Sequence, residues 1–180
     1  MLIQPQTSSL LIIDIQERLY PAIHDGPALL EHSRWLLEIA RLLEVPALAT
    51  EQYSKGLGPT LPALRERLDA AAILEKIAFS ALGDPGLFAL PGGERRQFVV
   101  CGTEAHVCVL QTVLGLLAAD REVFVVEEAV GSRQPRDKAL ALERMRQAGA
   151  VIVSREMVAF EWLQRAGSEC FRQISRDFLR

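Results

Sequence analysis

Three residues whose side chains can attack a carbonyl group or move a proton each follow a predicted strand: Asp14, Lys76 and Cys108. A cysteine can act as a nucleophile, and a carboxylate can take the thiol proton and later return one to a leaving group. A lysine supplies a fixed positive charge that keeps the carboxylate ionised. Each residue type is common at strand ends, so the elements that position these three decide what they can do.

Short apolar runs alternate with helical patterns along the whole chain. The predicted strands are Ser9–Ile13, Pro46–Thr50, Ala72–Glu75, Gln97–Cys101, Arg121–Val126 and Ala150–Val153. The predicted helices are Ala28–Glu44, Leu61–Leu68, a short one within Phe79–Pro91, one carrying Val109 to Leu117, Asp137–Ala148, and one or two in Met157–Leu179. This alternation predicts one α/β domain over residues 1–180, a doubly wound six-stranded parallel sheet of order 3-2-1-4-5-6 with helices on both faces.

The carboxyl ends of parallel strands share one edge of a sheet, where ligands bind in such folds. In this order the first and fourth strands are neighbours, so Asp14 and Cys108 should nearly touch. Cys108 lies near the start of a helix, whose dipole and nearby Lys76 are expected to outweigh Asp14 and lower the pKa of the thiol. We therefore expect Cys108 to be alkylated faster than Cys101 or Cys170. The tight turn before Cys108 could also direct backbone N–H groups at an oxyanion.

Composition excludes several classes of protein. The net charge of −3 gives no reason to expect nucleic acid or an anionic membrane as a partner. Three cysteines without framework spacing argue against a disulfide scaffold, and neither a signal peptide nor a membrane-spanning run is recognised. The expected location is the cytoplasm. No pair among His24, His32 and His106 has metal-ligand spacing, so we expect no metal and no cofactor.

Four segments carry a family resemblance: Leu11–Gln16, Lys76 with Phe79–Ser80, Gly102–Val109, and Ala129–Arg133. Over Leu10 to about Phe160 the chain resembles the isochorismatase-like cysteine hydrolases, which include nicotinamidases. The segment Thr50–Pro59 is similar to one branch, the isochorismatase-domain-containing proteins.

The resemblance implies a catalytic triad of Asp14, Lys76 and Cys108. It also implies a cis peptide bond between Thr103 and Glu104, with the N–H groups of Glu104 and Cys108 directed at the oxyanion. Two departures matter for the substrate. The metal-binding Asp-x-His of nicotinamidases is absent from Glu51–Ser54, and isochorismatases proper lack the cysteine.

The sequence thus predicts a hydrolase that cleaves a small amide or related acyl compound through an acyl-cysteine intermediate. Two alternatives remain: a catalytically silent oligomeric scaffold and a thiol-based redox protein. His106 stands two residues before Cys108 and should face away from the thiol, on the pocket wall or the surface. The predicted substrate contacts are Gln16, Gln52, Tyr53, Phe79 and His106. A homo-oligomer, dimeric or larger, is expected from the resemblance and from apolar Leu57, Phe160 and Trp162.

Overall fold

A computed structural model describes residues 1–179 of the chain. It contains one six-stranded, all-parallel sheet in the order β3-β2-β1-β4-β5-β6, which confirms the predicted topology. The strands are β1 (Ser8–Ile13), β2 (Ala47–Gln52), β3 (Ile73–Lys76), β4 (Gln97–Thr103), β5 (Glu122–Gly131) and β6 (Val151–Val153).

The helices are α1 (Gly26–Leu42), α2 (Ser54–Leu57), α3 (Pro62–Arg65), α4 (Leu110–Ala118), α5 (Pro135–Gln147), α6 (Arg155–Leu163) and α7 (Glu169–Phe178). Short 3-10 turns lie at Tyr20–Ala22, Ala70–Ala72 and Leu87–Ala89, and one π-helical turn, Ala105–Val109, precedes α4.

Strand β1 lies at the centre of the sheet and is buried on both faces. Its alternating side chains feed two separate cores, as the two-residue period of a strand requires. Leu10 and Ile12 pack with α1, α6 and α7, whereas Leu11 and Ile13 pack with α4 and α5. Helices therefore cover both faces, and the carboxyl edge of the sheet is left for the residues after each strand.

The largest differences between the structure and the sequence prediction lie in three places. The helix predicted over Leu61–Leu68 is only the single turn α3, and the one within Phe79–Pro91 is a 3-10 turn. Strand β5 continues through most of the predicted loop 127–133. Its pairing with β4 jumps there, from Val100↔Val125 to Gly102↔Val130, so β5 bulges at Val126–Ala129 and then resumes beside the end of β4.

Trp162 is not at the surface, contrary to the sequence prediction. It is 2% exposed, packs in the core between α1 and the sheet, and donates a hydrogen bond from Nε1 to Ser8 Oγ at 2.8 Å. A large ring with one polar atom favours this position because burial and a hydrogen bond are both satisfied. Phe160 is 49% exposed, as expected. No helix in residues 1–179 is long and apolar enough to cross a membrane.

Candidate active site

Asp14 is the first residue after the central strand β1, and it is completely buried. Its backbone adopts a left-handed conformation, with φ of 50°, which Asp tolerates better than most residues. Thr50, in the neighbouring strand, donates a hydrogen bond from Oγ1 to Asp14 Oδ1 at 2.6 Å. The Thr103 hydroxyl donates to the Asp14 carbonyl oxygen at 2.6 Å. Asp14 is therefore held from both adjacent strands, its carboxylate by β2 and its backbone carbonyl by β4.

Lys76 is the last residue of β3, and its side chain is fully buried. Its Nζ lies 2.8 Å from Asp14 Oδ2, which forms a buried ion pair. The same atom donates to Gln52 Oε1 at 2.7 Å, to the Phe79 carbonyl at 3.0 Å and to the Ala78 carbonyl at 3.3 Å. A buried ammonium needs this many oxygens because it has lost its water.

Cys108 lies in the π-helical turn Ala105–Val109, two residues before α4, and is 5% exposed. Its thiol is influenced by both members of the ion pair. The pKa of Cys108 is raised to about 12, chiefly by burial and then by the negative charge of Asp14, while the positive charge of Lys76 acts in the opposite direction. The three predicted residues are thus brought together at the carboxyl edge of the sheet.

The predicted lowering of the Cys108 pKa is wrong. Sequence reasoning placed the sulfur near the start of a helix, where the dipole and Lys76 were expected to outweigh Asp14. The structure instead places it out of contact with bulk water and beside a carboxylate, and loss of solvation is the largest influence on the thiol. The resting group is consequently a neutral thiol at pH 7.

The backbone between β4 and the cysteine turn is unusually close to β1. Gly102 has a φ of 128°, and a Cβ at this position would lie 2.1 Å from the Ile13 carbonyl oxygen, so only glycine fits. The Thr103–Glu104 peptide bond is cis, as the resemblance implied. Within residues 1–179, the backbone N–H group of Glu104 donates no hydrogen bond to the protein.

Two predicted substrate contacts, Gln16 and Gln52, are buried and have protein partners. Gln16 accepts a hydrogen bond from the Gln52 N–H at 2.8 Å and donates to the carbonyls of Gln52 and Gly58 at 3.0 and 2.7 Å. Gln52 accepts from Lys76 Nζ and donates to the Ile77 carbonyl at 2.7 Å. Their predicted contact with substrate stays a prediction.

The other three predicted contacts are more accessible. Tyr53 and Phe79 are each 54% exposed. His106 Nδ1 lies 2.9 Å from Ser132 Oγ, and its Nε2 lies 3.8 Å from Asp137 Oδ2, so the ring is occupied on the β5 side of the site. A cavity of about 370 Å³ adjoins Lys76 and is lined by Tyr53, Ser54, Lys55, Glu75, Lys76, Ile77 and Asp84.

Sequence reasoning missed two residues that shape the site. Thr50 carries the hydroxyl that fixes Asp14, but a threonine at the end of a strand gives no signal of this role. Arg133 donates from Nε to Glu104 Oε1 at 2.7 Å and so ties the β5 loop to the turn before the cysteine. The signal for Arg133 was present, since it ends the segment Ala129–Arg133 that carried part of the resemblance.

No group of three or more histidine, cysteine or carboxylate side chains capable of holding a metal ion occurs in the described part of the chain. The charged atoms nearest the sulfur form an ion pair that needs no further cation. The absence of a metal and of a cofactor from the working protein stays a prediction.

Comparison with known proteins assigns the chain to a family. The isochorismatase domain model matches residues 8–157. Isochorismatase domain-containing protein 2A of Mus musculus is 38% identical over 178 residues, covering 97% of this chain and 84% of the relative. The chain belongs to the isochorismatase domain family.

Solved structures agree with this assignment. The MAR1 ribonuclease from Caenorhabditis elegans superposes with a TM-score of 0.90 and 34% identity, over 100% of this chain and 93% of that one. YcaC from Pseudomonas aeruginosa, whose structure holds hexane-2,5-diol and covalent acrylamide, has a TM-score of 0.88 and 25% identity, over 97% and 90%.

Proposed function

We propose that this protein is a cysteine hydrolase that cleaves the C–N bond of a small amide through an acyl-cysteine intermediate. One observation carries the proposal: a thiol lies under the opposing influence of a buried carboxylate and a buried ammonium that are 2.8 Å apart. A carboxylate beside a neutral thiol is the arrangement that a base-assisted nucleophile requires.

In the first half-reaction, Cys108 Sγ attacks the carbonyl carbon while its proton passes to Asp14. The carbonyl π electrons move onto oxygen, and the backbone N–H groups of Glu104 and Cys108 donate to that oxyanion. When the tetrahedral intermediate collapses, the C–N bond breaks and Asp14 returns the proton to the departing nitrogen. The products are an amine and an acyl-cysteine.

In the second half-reaction, Asp14 takes a proton from water, and the resulting hydroxide attacks the thioester carbon. Collapse breaks the C–S bond, the carboxylic acid leaves, and the proton on Asp14 returns to sulfur. The net reaction is amide plus water to acid plus amine. Lys76 holds the Asp14 carboxylate in place between steps, because its ammonium donates a hydrogen bond to Oδ2 at 2.8 Å.

The substrate would enter along the cavity beside Lys76. Tyr53 and Ile77 are exposed side chains that line it, and Asp84 and Lys55 supply opposite charges there. A cavity of about 370 Å³ suits a small molecule. The structure of YcaC holds covalent acrylamide, and acrylamide reacts with nucleophiles through its vinyl carbon, so it supports a reactive nucleophile and not amide cleavage itself.

The test is incubation with a library of small aliphatic and aromatic amides, with ammonia or amine release and intact mass as readouts. We expect turnover of at least one amide and an adduct of acyl mass on the peptide that contains Cys108. Cys108→Ala should abolish both, while the matched control Cys101→Ala, which removes a sulfur buried in the core, should keep both. Hydrolysis that survives Cys108→Ala would refute the proposal.

The name of the Caenorhabditis elegans relative raises RNA hydrolysis as a second candidate. The net charge of −3 and the acidic residues Glu75, Asp84 and Glu104 near the site oppose it, because RNA binding depends on neutralising phosphates. Labelled RNA in the same assay distinguishes the two. RNA cleavage that is lost in Cys108→Ala, without amide turnover, would favour the nuclease.

Further parts of the proposal concern assembly and location. We propose a homo-oligomer, dimeric or larger, that acts in the cytoplasm on a small molecule without nucleic acid or membrane partners. The exposed apolar side chains Leu2, Met157 and Phe160 form one surface available for self-association.

A further inference from the structure

Two buried glutamines, Gln16 and Gln52, form a hydrogen-bond network that ends at Lys76. Gln52 ends β2 beside Lys76 at the end of β3, and the two residues are paired in register. The Gln52 side chain reaches across this pair: Oε1 accepts from Lys76 Nζ at 2.7 Å, and Nε2 donates to the Ile77 carbonyl at 2.7 Å. The Gln52 amide thus binds the Lys76 ammonium through its oxygen and the backbone of the next residue, Ile77, through its nitrogen.

The ammonium of Lys76 has more acceptors than protons. Three N–H bonds face four oxygens, of which Asp14 Oδ2 at 2.8 Å and Gln52 Oε1 at 2.7 Å are the nearest. Of the two side chains that accept from Lys76, Asp14 is a carboxylate and Gln52 is neutral. Its oxygen therefore competes with the Asp14 carboxylate for the ammonium, and it limits how far Nζ can move toward Asp14 or toward the sulfur.

Gln16 holds Gln52 in turn. The Gln16 side-chain amide pairs with the Gln52 backbone as a neighbouring strand would. Its Oε1 accepts from the Gln52 N–H at 2.8 Å, and its Nε2 donates to the Gln52 carbonyl at 3.0 Å. Its Nε2 also donates to the Gly58 carbonyl at 2.7 Å, which ties in the loop after α2. Gln16 is completely buried and Gln52 is 8% exposed, so the network is shielded from water.

We propose that Gln52, supported by Gln16, is a positioning residue that fixes the Lys76 ammonium relative to Asp14 and Cys108, and that neither glutamine contacts substrate. The inference rests on the proposed function for its kinetic readout only. Each polar atom of the two amides already has a protein partner. The effect of Gln52 on the chemistry therefore passes through Lys76.

The test is a double-mutant cycle with Gln52→Met and Lys76→Met, because methionine keeps the length of glutamine and removes its hydrogen bonds. The first readout is the alkylation rate of Cys108 by iodoacetamide, resolved by peptide, which needs no substrate. Gln52→Met should change this rate about tenfold or more, since a hydrogen bond to a buried charge is lost. In the Lys76→Met background the same substitution should change it little.

The matched control is Gln97→Met. Gln97 is also buried, at the opposite end of the sheet, and its amide binds the Gln4 N–H, the Leu2 carbonyl and Glu122. Its replacement should lower the unfolding temperature to an extent similar to Gln52→Met and leave Cys108 alkylation unchanged. If Gln52→Met does not fold, Gln16→Met is measured in the same cycle, with a smaller effect that also disappears without Lys76.

Kinetics provide the second readout when an amide substrate is available. A positioning role predicts that Gln52→Met lowers kcat with KM nearly unchanged, whereas direct substrate contact would raise KM. Full additivity with Lys76→Met, unchanged alkylation, or a rise confined to KM would each overturn the inference. Because alkylation does not depend on turnover, a failed amide screen would refute the proposed function without deciding the role of Gln52.

Discussion

The raised pKa of Cys108 leads to a quantitative prediction for its reactivity. The value of about 12 lies three units above the ordinary 9.0, so the thiolate fraction at pH 7 should be about 1,000-fold lower than for an exposed thiol. A more basic thiolate is also a better nucleophile, by roughly 20-fold over three units. The resting Cys108 should therefore be alkylated about 50-fold more slowly than a free cysteine peptide at pH 7.

The assay is peptide-resolved mass spectrometry with iodoacetamide between pH 6 and 10, with a free cysteine peptide in the same tube. We expect the Cys108 rate to rise about tenfold per pH unit, without a plateau below about pH 10, because the thiolate fraction controls it. Limited access of the reagent to the buried sulfur would lower all rates together and leave this slope intact. The slope therefore tests the ionisation.

The substitution Asp14→Asn should move two measurements in opposite directions. It removes a charge that raises the Cys108 pKa, and a fall of one unit or more would speed alkylation about threefold or more at pH 7. It also removes the proposed general base, which should lower turnover on the order of 10²–10⁴-fold. Asp25→Asn is the matched control, since Asp25 is not among the charges that act on the thiol.

Two results would refute this reasoning. A rate that is constant from pH 6 to pH 8 would mean that Cys108 rests as a thiolate and that Lys76 outweighs burial. Slower alkylation in Asp14→Asn would mean that the carboxylate activates the sulfur before substrate arrives. The first result would restore the expectation drawn from the sequence, a low-pKa cysteine.

Three further predictions concern stability and assembly. Gly102→Ala should lower the free energy of unfolding by about 1–3 kcal/mol more than Gly149→Ala. The reason is that a Cβ at Gly102 would collide with the Ile13 carbonyl, whereas a Cβ at Gly149 would meet no atom. Equal losses of stability in chemical denaturation would contradict this prediction. Burial lowers the pKa of His32 below 6.5, so neutral His32 contributes stability above that pH, and this contribution is lost on acidification. The wild-type protein should therefore lose more stability between about pH 7 and pH 5 than the His32→Gln variant. Parallel curves of stability against pH for the two proteins would refute this prediction. Light scattering at micromolar concentration should report a dimer or larger, which Phe160→Glu shifts toward monomer; a wild-type monomer would exclude this surface as an interface.

The fold could be predicted because each strand is either a continuous apolar run or ends at a recognisable turn. Leu10 to Ile13 indicate burial on both faces, and they are buried on both faces. The single-turn helix α3 could not be sized from the pattern, since only Leu64 in it packs into the core. The continuation of β5 could not be predicted because the charged pair Glu127–Glu128 lies in a bulge, which interrupts the alternating pattern of a strand.

The placement of Asp14, Lys76 and Cys108 at one edge followed from strand order, which local patterns determine. The pKa of Cys108 did not follow, because desolvation depends on how many atoms from other elements cover the sulfur. The burial of Trp162 was missed for the same reason: a helical position is assigned to core or solvent only by its tertiary neighbours. The roles of Gln16 and Gln52 depend on side chains reaching 36 residues along the chain.

The left-handed backbone at Asp14 limits the ways in which this protein could lose its activity during evolution. Most side chains are strained at a φ of 50°, whereas Asp, Asn and Gly accept it. In relatives that lose the reaction but keep the fold, we therefore expect Asn or Gly to replace Asp at this position. Other replacements would remove the proposed base and disturb the end of the central strand together. Descendants that have lost the reaction should thus be recognisable by which residue follows β1, and a bulky or branched residue there would indicate a rebuilt turn.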